Sequence, residues 1–145
     1  MNAILHSDPS SVLSRLQQLG LTEAALLRAV MAGYIAKSNC TENHPPLFPP
    51  IAAWSEAVRT LRDVLKPEGW TRFNDQNSPK TVSPDGSISI IVSTGNEATG
   101  IPHAEPATTS SKGPNTAGAI EINRSLQLYL PGMASPVPLH DEDEK

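Results

Sequence analysis

Pro50-Ile51-Ala52-Ala53-Trp54-Ser55-Glu56-Ala57-Val58-Arg59-Thr60-Leu61-Arg62-Asp63-Val64-Leu65-Lys66-Pro67 places Ile51, Trp54, Val58, Leu61 and Leu65 three and four residues apart. That spacing is one face of a helix. Glu56, Arg59, Arg62 and Asp63 take the other side, with Arg59 and Asp63 four apart and able to pair weakly. Pro50 can open the helix, because the N–H it lacks has no partner in a first turn, and Lys66-Pro67 ends it. Downstream the apolar period changes to two. In Ser87-Ile88-Ser89-Ile90-Ile91-Val92-Ser93-Thr94, residues Ile88, Ile90 and Val92 share one face and Ser87, Ser89, Ile91 and Ser93 the other. Pro84-Asp85-Gly86 joins this run to Lys80-Thr81-Val82-Ser83, and Trp70-Thr71-Arg72-Phe73 supplies a further short strand. With one strongly apolar face, the strands read as a small antiparallel meander covered by the helix.

Two more helices precede this unit. Asp8-Pro9 is an N-cap followed by a first-turn proline; Val12, Leu13, Leu16 and Leu19 recur at helical spacing, and Gly20 stops the run. Thr22 caps a second helix with Glu23 in its first turn, and Leu26, Leu27, Val30, Met31 and Tyr34 form its expected buried stripe. Gly33 costs that helix up to ~1 kcal/mol relative to alanine, so fraying or close packing is expected there. The turn at Gly20-Leu21 makes a helical hairpin or a helix-turn-helix-like corner, but Glu23-Ala24-Ala25 opens the second helix with an acid and two inert residues where a DNA reader carries Arg, Asn or Gln. The expected fold class is α+β: three N-terminal helices packed on a small antiparallel sheet over residues 8–100. A proline-rich, partly disordered C-terminal arm follows. Its residues 101–130 are extended with one short helix around Ala117, Ile120 and Ile122, and residues 131–145 form a disordered acidic tail.

Composition narrows the function classes. Of 145 residues, 38% are hydrophobic against roughly 45–50% in an average domain, and Pro occurs 14 times, so a fully globular chain is not expected. Asp141-Glu142-Asp143-Glu144 alone accounts for the net charge of −4, leaving the rest near neutral, with no domain-wide basic field to attract a phosphate backbone. One cysteine, Cys40, cannot form an internal disulfide, and the N-terminus lacks a signal-peptide pattern; a cytoplasmic, non-membrane protein is expected.

Candidate chemistry is thin. Thr94-Gly95-Asn96-Glu97-Ala98-Thr99-Gly100 has the glycine spacing of a phosphate loop, but Ile101-Pro102 stand where Lys-Ser/Thr would contact phosphate and Mg²⁺. The loop reads as a glycine-dependent strand exit or as a partner contact. Cys40 and His44 lie four apart with no second ligand pair, so no metal and no cofactor is expected. Nothing sets an activated nucleophile beside an oriented base, and no catalytic residue is assigned. Arg59, Arg62, Lys66, Arg72 and Lys80 with Trp70 and Phe73 would make a nucleic-acid stacking platform, but Glu56, Asp63, Glu68 and Asp75 are interleaved among them and read as an ordinary mixed-charge surface.

Ser125-Leu126-Gln127-Leu128-Tyr129-Leu130 resembles the bacterial sliding-clamp-binding peptide, whose pattern is Gln-Leu-Ser/Asp-Leu-Phe. The resemblance puts Leu126, Leu128 and Tyr129 in the anchor positions, with Ser125 in place of glutamine and Tyr129 in place of phenylalanine. The other reading is an extended segment docking Leu126, Leu128 and Leu130 on its own domain. Gly69-Trp70, Pro84-Asp85-Gly86, the run from Val92 to Gly100 and Lys112-Gly113-Pro114 together resemble motifs in small proteins of proteobacterial plasmids, integrative elements and prophages. That resemblance implies an accessory protein of mobile DNA, a setting in which anti-defence inhibitors, including anti-CRISPR proteins, and plasmid regulators are common. The expected function is therefore non-enzymatic binding of another protein through Thr94, Gly95, Asn96, Glu97, Leu126, Leu128 and Tyr129. A DNA-associated regulator, acting on DNA or the sliding clamp, is the second reading, and a small enzyme built on the Thr94–Gly100 loop the third.

Overall fold

A computed structural model describes residues 4–76 and 78–108. Helix α1 spans Pro9–Gln18, α2 Glu23–Ser38 and α3 Phe48–Leu65; strands β1 (Thr71–Asp75), β2 (Ser78–Val82) and β3 (Ser89–Ile90) form an antiparallel sheet in the order β1-β2-β3. The α+β class is as expected from the two periods.

The helix starts follow the cap chemistry. Asp8 accepts the Ser11 N–H at 2.9 Å, and Thr22 Oγ1 accepts the Ala25 N–H at 3.2 Å. Gly20, at φ +71, breaks the chain between α1 and α2, which are bent 94° from one another. Helix α3 begins at Phe48, two residues before the expected Pro50, because Pro49 and Pro50 both fit a first turn whose N–H groups have no intrahelical partner. It ends in a 3-10 turn, Lys66–Glu68, closed by Gly69 at φ +86.

The core contains Leu21, Ala25, Ala29, Leu61, Leu65 and Trp70, with Leu16, Leu19, Ile88, Ile90 and Val92 packed against it. The Ile88–Ile90–Val92 face points inward as the alternation requires. The strand itself is shorter than the period suggested: pairing to β2 covers Thr81↔Ile90 and Val82↔Ser89, and Ile91 to Thr94 leave the ladder. Trp54 Nε1 donates to the Val92 carbonyl at 3.0 Å, so a helix side chain takes over a backbone acceptor beyond the strand end. Pro79 lies within β2 opposite Asn74 of β1, at a level that β3 does not reach. There β2 is bordered by β1 alone, which is where a strand tolerates a missing donor.

Helix α2 departs most from expectation. Its buried residues are Ala25, Ala29 and Gly33, whereas Leu27, Val30, Met31 and Tyr34 of the expected stripe are exposed and Leu26 is half-buried. The reason is closeness to α3. A Cβ on Gly33 would lie 2.7 Å from the Ala53 carbonyl oxygen and 3.3 Å from the Ala57 Cβ, so small residues on both helices set the crossing. On α3, Ala57, Leu61 and Leu65 are buried; Ile51 and Trp54, expected on the same buried face, are exposed.

Candidate functional site

A row of exposed apolar side chains lies on α2. Its sequence, Glu23-Ala-Ala-Leu-Leu-Arg-Ala-Val-Met-Ala-Gly-Tyr-Ile-Ala-Lys-Ser38, is apolar nearly all round, a pattern that needs cover on more than one side. Helix α3 covers the Ala25–Ala29–Gly33 side. Leu27, Val30, Met31, Tyr34 and Ile35 are between 51% and 65% exposed. Scattered surface leucines are ordinary, but five large apolar side chains along one helix face make an apolar row of the kind that contact surfaces carry. The sequence signal was present: small residues four apart at 25, 29 and 33 face large ones at 27, 31 and 34–35. Hydrophobicity alone favours burying the large set, and the pairing of Gly33 with Ala53 and Ala57 reverses that choice.

A second feature is an open groove of about 880 Å³ between α3 and the β1–β2 hairpin, lined by Val58, Arg59, Arg62, Lys66, Arg72 and Thr81 among others. Four of the five basic residues grouped in the sequence reach it. Their charge is partly cancelled: Arg59 pairs with Glu56 at 2.7 Å and with Asp63 at 2.9 Å, and these contacts hold the Glu56 carboxyl below its ordinary range and push the guanidinium up. Arg62 is structural, donating to Asn74 Oδ1 at 2.8 Å and to the Lys80 carbonyl at 3.1 Å, so it ties α3 to β1 and β2. Trp70 is 5% exposed and belongs to the core, which removes it from any stacking platform.

Cys40 and His44 border one recess with Phe48, Ile51 and Glu56. Cys40 Sγ donates to the Ala36 carbonyl at 3.4 Å, His44 Nδ1 accepts the Thr41 N–H at 2.9 Å, and the imidazole stacks on Phe48 at 5.2 Å. Both side chains thus serve the turn between α2 and α3. Among the described residues no group of three or more His, Cys, Asp or Glu side chains is placed to hold a metal ion.

Thr94, Gly95, Asn96 and Glu97 lie together in one loop, exposed to solvent. Asn96 organises it. Its backbone N–H donates to the Ala107 carbonyl at 2.9 Å, and its Oδ1 accepts the N–H groups of Ala98 at 3.1 Å and Ala107 at 3.2 Å. Gly95 forms an antiparallel bridge with Thr108, and a Cβ on Gly95 would collide with the Thr99 side chain. Gly100 takes φ +82. The loop is thereby fixed by residues 107–108, and its N–H groups at 96, 98, 99 and 101 donate within the loop and to residue 107. Leu126, Leu128 and Tyr129 lie outside the described residues, as do the short helix expected near Ala117 and the tail over 131–145.

No single helix among the described residues is long and apolar enough to cross a membrane. Comparison with protein-family models, with curated proteins and with solved structures finds no match to this chain.

Proposed function

We propose that this protein is a non-enzymatic interaction module that works by binding protein through the outward face of α2. The observation that carries the reading is the apolar row Leu27, Val30, Met31, Tyr34 and Ile35, left at the surface of a helix whose small-residue side is already packed. The Thr94–Gly100 loop, held rigid by Asn96, adds a polar contact whose ordering cost is met before binding. A setting in mobile DNA, an anti-defence role and a cytoplasmic residence are parts of the same proposal; the first two rest on the sequence resemblance.

The test is affinity capture from bacterial lysate with the full chain and with a Leu27→Glu/Met31→Glu variant. A dominant protein retained by the parent chain and lost by the variant is the expected result. Equal capture by both, with unchanged circular dichroism, removes α2 from the contact.

One observation favours a second reading, a DNA-associated regulator: the groove beside α3 gathers Arg62, Lys66 and Arg72. On that reading duplex DNA is shifted with a steep salt dependence, and Lys66→Ala/Arg72→Ala flattens the slope.

A further inference from the structure

We infer that the outward face of α2 is closed by a second copy of this chain, with the two α2 helices antiparallel across a two-fold axis near Val30 and Met31. The inference rests on the reading of this face as a protein contact and names its occupant.

The row Glu23, Leu27, Val30, Tyr34, Lys37 advances by four, three, four and three residues, the repeat of a helix–helix seam. All five are exposed. The row is apolar in its middle, acidic at its N-terminal end and basic at its C-terminal end. It is therefore complementary to itself when reversed. The midpoint of Glu23 and Lys37 is residue 30, and the midpoint of Leu27 and Tyr34 falls between 30 and 31. An axis at that level brings Glu23 of each copy to Lys37 of the other and Leu27 to Tyr34, with Val30 and Met31 at the centre. A parallel pair would instead set Glu23 against Glu23 and Lys37 against Lys37. Among soluble oligomers the two-fold dimer, in which one surface meets itself, is the commonest assembly. Arg28, the remaining charged residue of α2, is well over 90° round the helix from the row by the 100° step per residue, so it does not enter the seam.

The experiment uses the full chain. Sedimentation velocity across a concentration series is expected to give about twice the 15.5 kDa chain mass. Leu27→Glu/Met31→Glu is expected to give the chain mass with unchanged circular dichroism. Glu23→Lys and Lys37→Glu are each expected to weaken dimerisation by roughly ten-fold, and the two combined to restore it, since the pair is then merely exchanged. In a Cys40→Ser background, Val30→Cys is expected to cross-link on oxidation and Glu23→Cys not to. A monomer at all concentrations, a dimer indifferent to the α2 substitutions, or cross-linking through Glu23→Cys overturns the inference. If the chain is monomeric and Leu27→Glu/Met31→Glu still abolishes capture of another protein, the contact role of α2 stands and its closure by a second copy fails. If neither mass nor capture responds, both fall.

Discussion

Gly33 is the position on which the arrangement of α2 turns. Alanine there would gain about 1 kcal/mol of helix propensity, but its Cβ would sit 2.7 Å from a backbone oxygen of Ala53, which cannot rotate aside. Overpacking of this kind costs about 1–3 kcal/mol and forces the helices apart. Gly33→Ala is therefore expected to be net destabilising by up to about 2 kcal/mol, read as a lower urea midpoint. A gain in stability would show that α2 and α3 are less closely packed than Ala53 and Ala57 indicate. Asp85 is the second residue with a sharp consequence. The Ser87 N–H and the hydroxyls of Ser83 and Ser87 all donate to its Oδ1, and they hold its carboxyl at about 2 rather than the ordinary aspartate value of 3.8. Because the folded-state value is depressed, the stabilising contribution is complete above the ordinary value and is lost as pH falls through about 2. Acid titration of the fold is expected to show that loss between about pH 4 and 2, and Asp85→Asn to remove it. Coincident acid curves would place the charge elsewhere. Pro84-Asp85-Gly86 was legible as a turn from residue type alone, with Gly86 at φ +74; the threefold convergence on one carboxylate oxygen was not, because it depends on where Ser83 and Ser87 are brought by the pairing of Ser83 with Ile88.

At the scale of elements, α2 buries only small residues, whereas α3 buries Leu61 and Leu65 as well as Ala57. Leu61 of α3 is 2% exposed and Leu27 of α2 is 53% exposed, although both belong to regular apolar stripes in the sequence. Leu61→Ala is expected to cost about 2–5 kcal/mol, whereas Leu27→Ala, measured at low protein concentration, should change stability by less than about 0.5 kcal/mol. Comparable losses at the two sites would mean that the large α2 residues are inside after all. The contrast also explains what could be read beforehand. Caps at Asp8 and Thr22, the stop at Gly20, the end of α3 before Lys66-Pro67 and the inward Ile88–Ile90–Val92 face are properties of local chemistry and period, and the structure has each of them. The choice between two apolar faces of α2 is a property of the pair of helices. No window along one helix contains Ala53 and Ala57 together with Gly33. The same limit applies to the β1–β2 hairpin, whose connection between Asp75 and Ser78, with Gln76 at φ 44, carries no glycine to announce it.

At the scale of the whole molecule, the core among the described residues is built in part from small side chains. Its buried apolar residues are Leu21, Ala25, Ala29, Ala57, Leu61, Leu65 and Trp70, three of them alanines. A domain of this size buries a limited share of its surface, and the largest apolar side chains of α2 contribute little to that burial in an isolated chain. Covering the α2 face in a symmetric pair would bury Leu27, Val30, Met31 and Tyr34 twice over, so association and folding become linked. When the folded unit is a dimer, its stability depends on protein concentration by mass action. A ten-fold rise in concentration then contributes about 1.4 kcal/mol per dimer, which for a domain of this size raises the thermal midpoint by about 3–5 °C. The parent chain is expected to show that rise in a calorimetric dilution series, and Leu27→Glu/Met31→Glu to melt at one temperature throughout. A parent midpoint that ignores concentration would mean that the core suffices by itself and that the exposed row on α2 adds nothing to the fold, leaving it to act on a different protein alone.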